Sequence, residues 1–178
     1  ILLFCLLVTL KYHMRFNVER KFHELNNTTI QNSINASKIN KKLSGLNWKS
    51  PYFADPKKEV NIINTFILVL NKDKANKMII TEYNFFSSIL GKKFYSPSRT
   101  YDSISYPKKN SKYFKKYKHH LINIIKKNKI KKIYIFQPAT TADISSLVYA
   151  YINQECFKKS NIDKYIIKLE ILSCEAIK

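Results

Sequence analysis

The stretch YSPSRTYDSISYP, Tyr95–Pro107, gathers the residues best suited to hold a ligand: Arg99, Tyr101 and Asp102. A guanidinium presents a planar fork of donors that matches a phosphate or carboxylate. Asp102 stands three residues on and can instead pair with Arg99 and pin the loop. That local salt bridge is the favoured reading, because ion pairs with a structural role are common. Thr81, Asn84 and Gln137 follow two short apolar runs, KMIIT and KIYIF. In an open α/β sheet, ligands bind beyond the carboxyl ends of the strands. These three residues therefore join the Arg99 loop as candidates for one ligand-binding rim.

Other chemistries are hard to build. The chain has two glycines, so neither G-x-G-x-x-G nor a P-loop can form; both need glycine where backbone approaches phosphate. No G-x-S-x-G elbow occurs. His119 and His120 are adjacent on a helical stretch and point about 100° apart, so they cannot grip one metal as an i, i+4 pair does. No cofactor and no metal site is expected. Cys5, Cys156 and Cys174 show no metal-ligand spacing and no C-x-x-C. Free buried thiols are the favoured reading; Cys156 and Cys174 meet only if the fold brings them together.

The charge is large, +20 over 178 residues. A basic chain suggests nucleic acid or an anionic membrane. Only three of the 32 basic residues are arginine: Arg15, Arg20 and Arg99. Lysine, isoleucine and asparagine together supply 70 residues, as AT-rich codons alone would produce. Specific nucleic-acid readers lean on arginine for bidentate contacts, so a nucleic-acid partner is disfavoured.

The elements that would position the rim read as follows. ILLFCLLVTL opens the chain and runs without Gly or Pro into KYHMRFNVERK. No basic segment precedes the run and no small-residue cleavage site follows it, so it is not a signal peptide. Ten helical residues span about 15 Å, roughly half a bilayer core. The run reads as the end of a truncated transmembrane helix in contact with the lipid bilayer through Ile1–Leu10. Tyr12 and the basic cluster would lie at the interface. The alternative is a buried N-terminal helix of a soluble protein. Residues 15–46 read as helix, with Ile30, Ile34, Leu43 and Leu46 as its apolar stripe and Gly45 as its C-cap.

Asp55-Pro56 is a helix start, followed by Val60, Ile63, Ile67 and Leu70 on one face. The lone Trp48 either packs this linker onto the sheet or faces the membrane. Further helices are expected over EYNFFSSIL up to Gly91, over 111–128 and over 142–156. The helix over 111–128 would turn Tyr113, Phe114, Tyr117, Leu121, Ile124 and Ile125 inward. Strands are expected at Lys77–Thr81 and Lys132–Phe136, with a short one at Phe94–Tyr95. KYIIKLEIL alternates and reads as a half-exposed edge strand. The order predicts an α/β fold: a small three-layer, open, mostly parallel sheet of three to four strands, preceded by a long N-terminal helix. The domains would be residues 1–12, the end of a transmembrane helix; 13–50, a helical linker; and 51–178, a soluble α/β domain.

Four stretches, LKYHMRFNVERKFHEL, INASKINKKLSGLNWKSP, MIITEYNFFSSIL and YSPSRTYDSISYPKKNSKYF, together resemble a known family. It is the C-terminal region of multi-spanning membrane glycosyltransferases of the dolichyl-phosphate-mannose protein mannosyltransferase class, from AT-rich marine alphaproteobacteria. The resemblance covers nearly the whole chain but includes no catalytic signature. It implies an extramembrane accessory domain in the bacterial inner membrane, weakly favoured on the periplasmic side. Its partners would be the transmembrane bundle of the same polypeptide and a polyprenyl-phosphate sugar. The catalytic acid of that class lies in an early loop, so no catalytic residue carries over to this chain. The alternative function is a membrane-tethered basic module that binds anionic lipid or nucleic acid without catalysis.

Overall fold

The structure is a computed structural model and describes residues 2–15, 32–50, 52–98, 106–138 and 145–174. The chain forms two compact units, Ile1–Glu59 and Val60–Lys178.

The first unit begins with helix α1, Leu2–His13. None of its residues is buried. No helix among the described residues is long and apolar enough to cross a membrane. Residues 16–31, half of the expected linker helix, lie outside the described residues. The remainder of that linker is not helical. Strands β1 (Ile34–Asn35) and β2 (Asn47–Trp48) pair antiparallel and enclose two short 3-10 turns. The cause is local. Asn35 accepts a hydrogen bond from the Ser37 N–H at 2.9 Å, and Asn40 accepts one from the Lys42 N–H at 3.0 Å. Asparagine side chains that capture nearby backbone donors compete with helix formation. Gly45 takes φ +85° within the turn before β2, not at a helix C-cap. Trp48 donates its indole N–H to Glu59 at 2.8 Å, a carboxylate that is fully buried.

Helix α2, Pro56–Lys72, starts where Asp55-Pro56 predicts. Asp55 accepts a hydrogen bond from the Lys57 N–H at 2.9 Å. The second unit is built on a four-stranded mixed sheet in the order β3-β4-β6-β5. Its strands are β3 (Lys77–Thr81), β4 (Lys132–Phe136), β5 (Phe157–Asp163) and β6 (Ile166–Ile171). β3 and β4 run parallel, with Lys77 opposite Lys132 and Thr81 opposite Phe136. β6 is antiparallel to both β4 and β5.

The expectation of a mostly parallel sheet is therefore corrected. Two residues, Lys164 and Tyr165, separate β5 from β6, and so tight a connection permits only antiparallel pairing. KYIIKLEIL is also not an edge. β6 lies between β4 and β5, with Ile166 and Leu169 buried. The edge is β5, FKKSNID, whose lysines and asparagine face solvent; charged, polar residues protect such an edge from pairing with other chains. No strand forms at Phe94–Tyr95.

Helix α3, Phe86–Leu90, ends at Gly91 in the left-handed region, φ +60°, as its sequence predicts. Helix α4, Phe114–Lys127, buries Leu121 and Ile125, whereas Tyr113 is exposed. Helix α5 is one turn, Ser146–Tyr149, far shorter than the expected 142–156; Ile144 lies outside the described residues.

Alternate residues of each strand face opposite sides of the sheet. Met78, Ile80, Ile133, Ile135 and Leu169 cluster with Leu121 and Ile125 of α4 and with Leu147 and Val148 of α5. Tyr134 and Phe136 point the other way. There Phe66 of α2 stacks on Phe136 at 4.4 Å and meets Phe86 of α3 edge-on at 5.1 Å.

Cys156 and Cys174 form a disulfide, with Cα atoms 5.3 Å apart. This corrects the free-thiol expectation for both residues. The hairpin brings them together: Phe157 pairs with Ile171, and the Leu172 N–H donates to the Cys156 carbonyl at 2.9 Å. Cys5 is a free, exposed thiol.

Three mutational outcomes follow. Phe66→Ala should lower the unfolding free energy by about 3–5 kcal/mol, because it empties a site surrounded by fixed rings. Leu68→Ala, on the exposed face of the same helix, should change it by less than about 0.5 kcal/mol. Replacing both Cys156 and Cys174 by alanine should cost roughly 3 kcal/mol for a closed loop of this length. Urea unfolding followed by circular dichroism checks all three.

Candidate functional site

The parallel register of β3 and β4 places their carboxyl ends side by side. Thr81 and Gln137 are both buried there. The Thr81 hydroxyl accepts a hydrogen bond from the Tyr83 N–H at 3.1 Å. Gln137 donates its side-chain amide to the Glu82 carboxylate at 2.9 Å. Asn84 is exposed one turn further on. Three of the six sequence-predicted site residues, Thr81, Asn84 and Gln137, thus reach one rim. Arg99, Tyr101 and Asp102 lie outside the described residues.

The rim carries two hollows. The first has a volume of about 50 Å³ and is lined by Thr81, Asn84, Ser87 and Ser96 over a floor of Ile79 and Phe86. It has room for water rather than for a sugar. The second, about 430 Å³, opens beside Asn84 and Ser96–Ser98. Its polar lining is hydroxyls and a neutral amide, which exchange hydrogen bonds with a hydroxylated ligand. Among the described residues the carboxylate at the rim is Glu82, which Gln137 engages. Among the described residues no group of three His, Cys, Asp or Glu could hold a metal ion.

Sequence reasoning missed the most connected polar group, at the opposite end of the same strands. Asp73 follows α2 in the connection NKDKAN. One of its carboxylate oxygens accepts from the Tyr134 hydroxyl at 2.6 Å. The other accepts from the Ala75 N–H at 2.9 Å and pairs with the Lys132 ammonium at 3.2 Å. The buried Lys77 donates its ammonium to the Asp73 carbonyl at 2.7 Å. Burial by itself would raise the pKa of Asp73. The hydrogen bonds from Tyr134, Ala75 and Lys132 outweigh it and hold the carboxyl below its ordinary value. Burial, then the Asp73 hydrogen bond, pushes the Tyr134 phenol up. Burial also pulls the Lys77 ammonium down, partly offset by Asp73.

The sequence did carry a signal for this knot. Tyr134 is a polar-tipped residue inside an otherwise apolar strand, and such a residue needs a partner when buried. The arrangement ties the end of α2 to the start of the sheet.

Asp73 makes stability depend on acid. Its folded-state value lies below the ordinary carboxylate range, so the contribution is complete above the unfolded value, about pH 3.9, and is lost as pH falls through the folded value. Wild type should therefore lose stability more steeply than Asp73→Asn between about pH 4 and pH 2. Urea midpoints measured across that range test this. Equal slopes would show that Asp73 is not the titrating group.

No protein-family model, no curated protein and no solved structure matches this chain.

Proposed function

We propose that this chain is a membrane-attached accessory domain of a glycosyltransferase that uses a polyprenyl-phosphate-linked sugar, and that it has no transferase activity of its own. The observation that carries the membrane part is α1. Leu2, Leu3, Phe4, Leu6, Leu7 and Leu10 are each 58–78% exposed. A helix that is apolar on every side needs an apolar surrounding, not one buried stripe. Lys11 and His13 lie in its last turn and Arg15 comes just after it, the arrangement of a helix leaving a bilayer.

The remaining parts have separate support. The Cys156–Cys174 disulfide favours an oxidising compartment, in keeping with the periplasmic side. The covering of opposite sheet faces by Phe66 on one side and Leu121 on the other favours a three-layer domain. The neutral hydroxyls and amides along the carboxyl rim suit recognition of a polyol. The enzyme class rests on the resemblance of the four quoted stretches.

A second reading, a basic module that binds anionic surfaces, is favoured by α4. Its 14 residues include Lys115, Lys116, Lys118, Lys126 and Lys127 and no acid.

In flotation with neutral phosphatidylcholine vesicles, the full chain should rise with the lipid, and Leu6→Glu/Leu7→Glu should stay in the aqueous layer. Binding only to vesicles that contain anionic lipid would favour the second reading. The full chain, given a polyprenyl-phosphate mannose and an acceptor peptide, should transfer no sugar. Measurable transfer would overturn the accessory role.

A further inference from the structure

A larger concavity lies away from the carboxyl rim, between the segment that follows α3 and the last turns of α4. Its volume is about 520 Å³, within the range of small-molecule sites. One wall is a single helical stripe, His120, Asn123, Ile124 and Lys127, spaced i, i+3, i+4, i+7, so all four side chains share a face. The opposite wall is Lys93, Phe94 and Tyr95.

The chemistry of this lining is one-sided. Lys93, His120 and Lys127 supply cationic or donor groups, and no carboxylate lines the cleft. No ion pair with a described residue engages Lys93 or Lys127. Lys93 instead stands over the Tyr95 ring at 5.4 Å, an orientation that leaves its ammonium available to an anion. Asn123 and Asn128 add neutral amides. Asn128 spends one N–H on the Ile124 carbonyl at 2.9 Å and keeps its amide oxygen.

One term opposes an anion here: Asn128 caps the carboxyl end of α4, where the helix dipole is negative. Lys126 and Lys127 in the last turn offset it. The acid-free helix also focuses a positive field on the cleft.

Lysine ammonium groups are point charges. They hold a phosphate by charge, without the bidentate fork with which arginine meets either a phosphate or a carboxylate. Neutral amides beside two aromatic rings suit a hydroxylated ring carried by that phosphate. We propose that this cleft binds a phosphorylated sugar or polyol, with Lys93 and Lys127 on the phosphate and Asn123 on the hydroxyls. The inference rests on the lining alone and does not depend on the enzyme class proposed above. A phosphate of this kind can be a soluble sugar phosphate or the headgroup of a phospholipid.

The test uses the full chain in nonionic detergent micelles, titrated calorimetrically with glucose 1-phosphate, with inorganic phosphate and with glucose. A parallel arm measures flotation of the Leu6→Glu/Leu7→Glu chain, which lacks the α1 attachment, with vesicles containing phosphatidylglycerol, with and without glucose 1-phosphate as competitor. Binding of glucose 1-phosphate should be saturable and tighter than that of inorganic phosphate. Lys93→Gln/Lys127→Gln should weaken it roughly tenfold or more, as removal of charge-assisted contacts does. Lys115→Gln/Lys116→Gln, which removes the same charge from the same helix outside the cleft, should weaken it less than about twofold. Circular dichroism melts confirm that both variants fold.

Competition in the vesicle arm would assign the headgroup to the same cleft; calorimetric binding without competition would assign the soluble ligand alone. Equal weakening by the two double variants would reduce the site to a diffuse field and overturn the proposal. So would glucose binding as tightly as its phosphate, or no binding at low ionic strength in either arm.

Discussion

Strand β4 is hydrogen-bonded along both edges, parallel to β3 and antiparallel to β6, and its residues from Ile133 to Phe136 are at most 3% exposed. Such a strand must present apolar groups in both directions at once. KIYIF does so: Ile133 and Ile135 enter one cluster, and Tyr134 and Phe136 meet the ring of Phe66. The placing of α2 and α3 on one side and of α4 and α5 on the other follows from that requirement. So does the position of the carboxyl rim, because the register of β4 against β3 sets Gln137 beside Glu82.

A strand buried on both faces leaves its polar ends as the places where cost must be met. At one end the Tyr134 hydroxyl would be stranded without Asp73, and an unsatisfied buried hydroxyl costs about 1–3 kcal/mol. At the other end Gln137 and Glu82 satisfy one another. Tyr151 behaves alike under α4: its hydroxyl donates to the Pro107 carbonyl, and burial together with Tyr117 and Tyr106 pushes the phenol up to about 12. These knots hold the fold together. Among the described residues, the cleft between α4 and the segment after α3 brings lysines together with amides and rings and has no carboxylate in its lining.

Much of this was legible in the residues. Asp55-Pro56 marked the start of α2, Gly91 marked the end of α3, and the runs KMIIT and KIYIF marked β3 and β4, because capping, left-handed backbone and dense apolar runs are local signals. The Thr81, Asn84 and Gln137 rim followed from the general geometry of parallel strands. β5 was not legible, since FKKSNID has only Phe157 and the exposed Ile162 as apolar residues and takes its order from pairing with β6. Residues 32–46 were misread as helix because asparagines that cap short turns look, by composition alone, like polar positions on a helix face. Phe66 escaped notice as the centre of the aromatic packing because only the fold sets Phe136 and Phe86 against it.

The sequence by itself determined which segments are apolar, where α2 starts and α3 stops, and that the chain carries a lysine excess with almost no arginine. These are properties of neighbours along the chain, and local sterics and hydration read them directly. Only the tertiary structure decided that β6 is central, that Cys156 meets Cys174, that Asp73 takes the Tyr134 hydroxyl 61 residues away, and that Lys93 faces Lys127 across a cleft. Each joins residues whose proximity depends on strand register and helix docking. Those are fixed by the summed burial of many side chains, and no short stretch of sequence contains that sum.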